Sequence, residues 1–434
     1  MMQPQNPPAV EPVAFVGIDW ADQTHAVCLG AADSQSPEQF QLPHNPDAIA
    51  DFVAMLRDRF HGQPVAVALE QARGALLYAL MSHEFLIIYP INPVTAKRYR
   101  AAFATSGAKD DPADARLLWE LLLKHRDRLR PWLPDTAPTR QLALLSEHRR
   151  ESVGQRTRMV EQLRAALKMY FPQAFDLVGD DLATVLTCDF LRRWPTLAQL
   201  QTARPQTVRA FYYGHRCRRA DLVNKRIQQI KAAQPITTDT AVIAAYALRV
   251  QVLADQLRTL LAGIAAYDRQ IEQLFATQAD AAIFRSFPGS GPCLAPRLLA
   301  AFGTHRERLA DPDAVARLSG IAPVTRHSGQ SRTVHRRQAC AKYLRQTFHE
   351  FAACSIKFCG WAQAYYQSQR ACGKGHHVAV RALAFKWIRI LWRCWQDRVA
   401  YDDAKYIAAL RRSGSPLVQA LSASVSPQPA TPTS

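Results

Sequence analysis

Two carboxylates three residues apart are the first feature of this chain that could do chemistry. They are Asp111 and Asp114, in the segment Asp111-Pro112-Ala113-Asp114. Pro112 fits the first turn of a helix, where its missing N–H has no partner to lose. Residues three apart lie on the same face of a helix, so both carboxylates project to the same side. Taken alone, the pair is also typical of an ordinary helix start, where acids complement the positive end of the dipole.

Two further acids, Asp19 and Glu70, each end an apolar run that predicts a buried strand. The carboxyl ends of strands are where α/β folds place their sites, and a carboxylate there is costly unless water or a cation neutralises it. Four converging carboxylates repel one another, and hard divalent cations with oxygen ligands relieve that repulsion. Two such ions can clamp a phosphodiester during displacement at phosphorus. We therefore predict a site for one or two divalent cations at four residues, Asp19, Glu70, Asp111 and Asp114.

The elements that must position these acids predict an α/β layer with a mixed sheet. The apolar patterns indicate a hairpin, a third strand, a helix, a strand, a second helix and a last strand before the acidic helix. The hairpin covers 14–29 and the third strand 39–42. The first helix covers 47–60, the next strand 64–69, the second helix 74–84 and the last strand 85–89.

The middle of the chain predicts long helices. Apolar residues over 243–274 alternate three- and four-residue steps, as in a heptad seam. A helix of that length would span roughly 50 Å at 1.5 Å per residue. Two partners remain open for this seam: the helical stretch 140–170 of the same chain, in an antiparallel hairpin, or a second copy of the protein.

A serine beside a glycine marks the second half. Ser328 lies in a stretch with four arginines whose guanidinium groups could neutralise a developing phosphorane charge. On the residues alone, an ordinary loop serine is the favoured interpretation of Ser328. Two glycines in a possible helix–hairpin–helix turn and a lysine in a later Gly-rich turn could contact phosphates, although a plain turn accounts for the glycines as well. The predicted nucleic-acid-binding residues are Arg326, Arg332, Arg336, Arg337, Gly289, Gly291 and Lys374.

Composition narrows the class of partner. The 434 residues carry a formal net charge of +18 and a pI near 9.8, which indicates a polyanionic partner. No apolar run reaches transmembrane length, so we expect no membrane partner. The nine cysteines form no Cys-x-x-Cys pairs, which is typical of reduced thiols in a cytoplasmic protein and excludes a zinc site.

The chain resembles the DEDD-type transposases of bacterial insertion sequences, the insertion-sequence-110 family. The resemblance rests on Gly17-Ile18-Asp19, Leu69-Glu70, Ile91-Asn92-Pro93 and Lys109-x-Asp111-x-x-Asp114-Ala115-Arg116 at one end, and on Pro288-Gly289-Ser290-Gly291, Gly320-Ile321-Ala322-Pro323 and Ser328-Gly329 at the other. It implies an RNase H-like (RuvC-like) N-terminal domain in which the four acids hold one or two Mg²⁺ ions. It also implies a serine nucleophile, for which Ser328 is the match and Ser331 the second candidate. Many relatives carry Lys-Ala-Gly-Asn where this chain has Gln338-Ala339-Cys340-Ala341.

Together these observations predict an α/β RNase H-like N-terminal domain, a helical coiled-coil arm and a mainly α C-terminal domain. The predicted ranges are 13–130, 131–280 and 281–412, with disordered ends at 1–12 and 413–434. The resemblance implies a DNA transposase that joins donor and target duplexes, guided by a bridge RNA, acting as a homodimer or homotetramer near the bacterial nucleoid. The alternatives are a metal-dependent Holliday-junction resolvase, which needs no Ser328, and a non-catalytic nucleic-acid binder.

Overall fold

The computed structural model describes residues 11–34, 36–70, 73–103, 111–418 and 421. The chain divides into two compact units between Pro134 and Asp135. The predicted segment 1–12 falls outside the described residues except for its last two, as does most of the predicted tail beyond 413, although Leu417 is buried.

The first unit is built on a mixed five-stranded sheet. The strands are β1 (Ala14–Asp19), β2 (Thr24–Ala31), β3 (Glu38–Pro43), β4 (Val65–Leu69) and β5 (Leu86–Pro90). Their order in the sheet is β3-β2-β1-β4-β5. β1 pairs antiparallel with β2 and parallel with β4, and β5 is parallel to β4. The mixed α/β layer expected from the sequence is confirmed.

Helices cover both faces of this sheet. They are α1 (Pro46–Arg59), α2 (Ala75–Leu80), α3 (Pro93–Phe103) and α4 (Asp111–His125). One face packs against α1 and α2, and the other packs against α4. All five residues of β4 are buried, as expected for a parallel strand that is covered on both faces.

Gly17 lets α4 approach the sheet more closely than a side chain would allow. A Cβ atom built on Gly17 would overlap the carbonyl oxygen of Ala115 and the amide nitrogen of Trp119. On the neighbouring strand, a Cβ on Gly30 would meet the ring of Trp119 at 3.0 Å. The two glycines therefore set the distance between β1 and the acidic helix.

The second unit begins with a long helix, α5 (Ala137–Tyr170), followed by a group of short helices. These are α6 (Ala174–Val178), α7 (Val185–Arg193), α8 (Leu197–Thr202), α9 (Pro205–Gly214) and α10 (Ala220–Ala232). They enclose a core with Phe190, Tyr212 and the outer end of α5. We call this part the head.

A second long helix, α11 (Thr240–Ala276), returns along α5. Arg149 forms an ion pair with Asp268, and the rings of Tyr170 and Tyr246 lie 6.4 Å apart. A residue later in α5 thus contacts a residue earlier in α11, so the two helices are antiparallel. The heptad seam is covered by the same chain, which is the first of the two partners that the sequence left open. We call the pair the arm.

The remaining elements form the C-terminal core, with Trp361, Trp387 and Trp395 fully buried. They are α12 (Ala281–Arg285), α13 (Gly291–Phe302), α14 (Pro312–Leu318), β6 (Val324–Ser328), β7 (Ser331–His335), α15 (Lys342–Phe358), α16 (Gly360–Ala371), α17 (His376–Gln396) and α18 (Asp403–Arg412). The inner end of the arm contributes Leu142 and Phe275 to this core. Within the described ranges, no helix is long and apolar enough to cross a membrane.

Candidate functional site

Asp19 and Glu70 lie side by side at the carboxyl edge of the sheet. Asp19 is the last residue of β1, and Glu70 directly follows β4. Ile18 and Leu69 pair across these parallel strands and both point into the core under α1 and α2. Because side chains alternate along a strand, we expect the next residue on each strand to face the other side, where α4 packs.

The direction of α4 brings its first turn to the same edge. The guanidinium of Arg126, just beyond the end of α4, lies 6.0 Å from the ring centroid of Phe15. Ala115, near the start of α4, lies against Gly17. The helix therefore runs antiparallel to β1, and its start points toward the end of β1 that carries Asp19. The metal site predicted at the four acids stays a prediction.

A side chain of β3 holds the start of α4. Gln39 donates a hydrogen bond of 3.1 Å from its Nε2 to the carbonyl oxygen of Pro112. Because this carbonyl belongs to the first turn, the hydrogen bond anchors the segment that carries Asp111 and Asp114 to the sheet.

Asp114 is buried and paired with an arginine that the sequence analysis missed. Its carboxylate forms an ion pair with Arg100 of α3 and is 6% exposed, whereas Arg100 is 27% exposed. The Nε atom of Arg100 is buried and makes no hydrogen bond among the described residues. A buried carboxylate requires a cationic partner, and here a guanidinium fills that role. The only sequence signal was a basic residue on the helix between the last strand and the acids.

Asn92 fixes the helix that presents Arg100. Its Oδ1 accepts a hydrogen bond of 2.8 Å from the amide of Val94, and Pro93 occupies the first position of α3. The Ile91-Asn92-Pro93 motif therefore acts as a helix start, with Ile91 buried beneath it.

The four acids differ in exposure. Asp111 is exposed, Asp19 and Glu70 are half-buried, and Asp114 is buried. Their oxygen-only donor set suits Mg²⁺. Over the described ranges, however, no three His, Cys, Asp or Glu side chains are grouped closely enough to hold a metal ion. The acids lie at one edge without forming a coordination shell, and one carboxylate oxygen of Asp114 is already paired with Arg100.

Ser328 ends a strand of an exposed hairpin, where the sequence had predicted a loop. Ser328 pairs with Ser331 across β6 and β7, and Arg326 pairs with Thr333. The two-residue turn between the serines begins with Gly329 at a φ of +56°, the conformation that favours glycine at this position. The turn signal Ser-Gly-Gln-Ser was present, but the flanking strands lack the apolar alternation that would have predicted them.

The hairpin separates its basic residues between two faces. Paired residues project to the same side, so Ser328, Ser331 and Arg326 share one face. His327 pairs with Arg332 on the opposite face. Arg326 is thus the hairpin arginine best placed to assist a reaction at Ser328, whereas Arg332 faces away from it.

Cys340, which follows the hairpin, packs against Gly320 of the motif Gly320-Ile321-Ala322-Pro323. A Cβ atom on Gly320, whose φ is +68°, would overlap the Sγ atom of Cys340. Cys340 also accepts an N–H from Arg345 at 3.3 Å. Arg336 is exposed, and Arg337 is half-buried with an Nε atom that makes no hydrogen bond among the described residues. Cys340 belongs to the stretch that differs from the Lys-Ala-Gly-Asn of many relatives. This difference therefore lies in direct contact with the segment before the serine hairpin.

The Gly-rich turn between α12 and α13 has a packing role. Gly289 has a φ of +78°, and a Cβ atom there would come within 3.1 Å of the backbone of Cys354 and Ser355 on α15. Gly291 has a φ of +53° and open space around its Cα. Lys374 is exposed and donates to Gln369. Their predicted phosphate contacts stay predictions.

Comparison with known proteins matches both ends of the chain. A family model described as a transposase matches residues 16–172, and one described as the transposase IS116/IS110/IS902 family matches residues 281–367. The first range contains the four acids, and the second contains the serine hairpin.

Similar proteins extend over most of the chain. The IS117 mini-circle protein of Streptomyces coelicolor, which carries the name of a transposase, is 28% identical over 92% of this chain and 98% of its own length. The 42 kDa protein of insertion element IS900 of Mycobacterium paratuberculosis is 28% identical over 91% of this chain and 98% of its own. The 44.8 kDa protein of insertion element IS116 of Streptomyces clavuligerus is 26% identical over 90% and 96%.

Proposed function

This chain belongs to the transposase family of insertion elements IS116, IS110 and IS902, and we propose that it cuts and rejoins DNA during transposition. The proposal is carried by the matches to two family models. One covers residues 16–172, which include the four acids, and the other covers residues 281–367, which include the serine hairpin. The net charge of +18 suits a DNA partner.

The first unit is proposed to be an RNase H-like domain of the RuvC type. Three antiparallel strands continue into two parallel ones in the order β3-β2-β1-β4-β5. The acids lie at the ends of the first and fourth strands and in the first turn of α4. This arrangement supports a divalent-metal nuclease site at Asp19, Glu70, Asp111 and Asp114. Mg²⁺, when bound there, would supply Lewis-acid stabilisation of charge at a scissile phosphate.

Each acid has a distinct part in that proposal. Asp19 and Glu70 would hold the ion from the rigid sheet edge, because both follow strands of the central pairing. Asp111 and Asp114 would approach it from the first turn of α4, which Gln39 anchors. Arg100 would neutralise Asp114 until the ligands assemble.

We propose Ser328 as the nucleophile. Its Oγ would attack a DNA phosphorus and form a phosphoserine bond, while the bond from phosphorus to one deoxyribose oxygen breaks and that oxygen takes up a proton. The Ser328 proton passes to water. Arg326, on the same face of the hairpin, would neutralise charge on the phosphorus oxygens. Attack on the phosphoserine by the hydroxyl of another strand would rejoin the DNA and restore Ser328.

The resemblance to the family extends the proposal to partners. A structured bridge RNA would select donor and target duplexes, and the protein would act as a dimer or tetramer. Recombination joins two duplexes, which a symmetric oligomer is suited to hold.

Two substitutions separate this function from its alternatives. Ser328→Ala should abolish strand cleavage while leaving DNA binding in place; a Holliday-junction resolvase that depends on the metal alone would still cut. Glu70→Gln keeps the side-chain shape but removes the charge that a divalent ion requires, so cleavage in Mg²⁺ should be lost. Wild-type cleavage by the Glu70→Gln protein would rule out the acidic site, and a wild-type protein that binds DNA without cutting it would indicate a pure binder.

A further inference from the structure

A cluster of basic residues lies where α15 packs against the first turns of α17 in the C-terminal core. His349 on α15 and His377 in the first turn of α17 have ring centroids 5.6 Å apart. Arg345 stands one turn before His349, and Arg381 stands one turn after His377, so each arginine is a neighbour of one of the contacting histidines on its helix. We call Arg336, Arg345, Arg381, His349 and His377 the basic cluster.

In the part of the chain that the structure describes, no ion pair joins a member of the basic cluster to an acid. Glu350 is the one acidic residue in the sequence between Asp313 and Asp397. Its carboxylate is taken up by Arg297 at 2.5 Å and by Arg150 at 3.5 Å. The hydrogen bonds of Arg345 run to the carbonyl oxygen of Arg337 and to the Sγ of Cys340, and neither acceptor carries a neutralising charge.

Like charges in the cluster oppose one another. Partial burial, together with Arg336 and Arg345, lowers the pKa of Arg381 from its usual value. Burial also lowers the pKa of His349, with further contributions from His377 and Arg381. Both directions follow from positive groups held near each other and partly away from water.

The backbone adds positive potential to the same place. α15 and α17 begin without a side-chain cap and without an acid in the first turn. Their free N–H groups and dipoles favour an anion, yet the first turns present Arg345 and His377 instead. A bound anion would relieve the repulsion among the side chains.

We propose that the basic cluster binds a phosphodiester of the DNA strand that lies against the serine hairpin. Arg336 directly follows β7, so the cluster continues from the strand that pairs with Ser328. Guanidinium groups suit phosphate because they donate paired hydrogen bonds to its oxygens. The site rests on the proposed function and deepens it by adding the residues that hold the DNA beside the nucleophile.

The test compares full-length Arg345→Gln and Arg381→Gln with Arg389→Gln as a matched control. Arg389 lies on the same helix as Arg381, is exposed and pairs with Asp313 at 3.7 Å. Binding of a labelled duplex is measured by fluorescence anisotropy over a series of salt concentrations. Each cluster variant should weaken binding about tenfold, the loss expected for one charge-assisted hydrogen bond, and lower the salt slope by about one. The control should stay within about twofold, and Arg381→Lys should recover part of the loss.

Thermal melting of the free proteins separates binding from folding. Because Arg381 lies among like charges, Arg381→Gln should leave the Tm unchanged or raise it, whereas loss of a structural arginine would lower it. Inorganic pyrophosphate should raise the Tm of the wild type more than that of either cluster variant. A lowered Tm with an unchanged response to pyrophosphate would overturn the proposal.

The outcomes also separate this site from the proposed function. If the wild type binds DNA and both cluster variants bind it equally well, the cluster proposal fails and the transposase function stands. If the wild type does not bind DNA, the proposed function fails, and the pyrophosphate response still decides whether the cluster holds phosphate. If the cluster variants lose affinity for a single-stranded RNA but keep their affinity for the DNA duplex, the assignment of the cluster to DNA is also overturned.

Discussion

Arg100 and Asp114 form an ion pair that joins α3 to the first turn of α4. The pair neutralises the one buried member of the four acids. Because the same carboxylate is a ligand in the proposed divalent-metal site, we expect the guanidinium and the ion to compete for it.

Arg100→Gln should lower the Tm of the metal-free protein and increase the rise in Tm that Mg²⁺ produces. Removing the arginine leaves Asp114 buried without its cation, at a cost of about 2 kcal/mol; this is below the value for a fully buried pair because Arg100 is 27% exposed. Excess Mg²⁺ should then raise the Tm of the variant more than that of the wild type. Thermal melts in EDTA and in Mg²⁺ measure both effects, with exposed Arg98→Gln on the same helix as control. Equal Mg²⁺ responses in all three proteins would contradict the competition.

Gly17→Ala should displace the acidic helix. The added methyl group overlaps the backbone of α4, and overpacking of this kind costs about 1–3 kcal/mol. Cleavage should fall more than stability does, because Asp111 and Asp114 move with the helix. Gly263→Ala on α11 is the control: a Cβ atom there meets nothing within 4 Å, so we expect a gain of about 0.5–1 kcal/mol. Chemical denaturation and a cleavage assay give the two readouts, and a fully active, stable Gly17→Ala protein would argue against the close packing.

The two serines of the hairpin can be told apart by single substitutions. Ser328 and Ser331 are cross-strand neighbours on one face, so geometry alone allows either to reach a phosphate. We expect Ser328→Ala to remove the covalent protein–DNA product and Ser331→Ala to reduce its amount by less than about tenfold, the loss of one hydrogen bond. Denaturing gel electrophoresis with labelled DNA detects the adduct. The reverse pattern would assign the nucleophile to Ser331.

DNA affinity should fall steeply as salt rises. Each phosphate that a basic side chain neutralises releases counterions, so the logarithm of the binding constant falls with the logarithm of the salt concentration. With a net charge of +18, we expect a loss of about a thousandfold between roughly 50 and 200 mM salt. An affinity that barely changes over this range would contradict the basic-surface argument.

Mixed assemblies test whether one active site draws on two chains. Asp111→Asn and Ser328→Ala proteins should each be inactive alone. If the acids of one subunit act with the serine of another, the two proteins co-assembled on DNA should regain part of the cleavage. Lack of rescue at every mixing ratio would mean that each site is built within one chain, and it would leave the roles of the individual residues unchanged.

Local patterns were sufficient to predict most of the first unit. The run 64–69 became β4, the third strand formed at Glu38–Pro43, and the predicted helix 74–84 shortened to Ala75–Leu80. Periodicity gives the apolar face of a helix but not the helix that packs against it. The sequence therefore left two partners for the seam of α11, a helix of the same chain or a second copy of the protein. Its resolution depends on contacts such as Arg149 with Asp268, which lie far apart in sequence.

The parts of the site that escaped prediction depend on contacts between distant segments. Arg100 is one of many basic residues, and only its position opposite Asp114 distinguishes it. The hairpin strands β6 and β7 are almost wholly exposed, so they carry no alternation between buried and exposed residues. The basic cluster likewise arises because His349, two turns into α15, contacts His377 in the first turn of α17, and the whole of α16 separates these residues in sequence.

The arm has a consequence for the order of folding. Leu142 and Phe275 belong to one core, so the chain must close a loop of about 130 residues before that core can form. We expect the head to form first, because its contacts are nearer in sequence and it joins the outer ends of α5 and α11. During synthesis, the face of α5 that packs on α11 would then stay uncovered until α11 has been made. We expect pairing to proceed from the head inward, so that the core that carries the serine hairpin forms last in this unit.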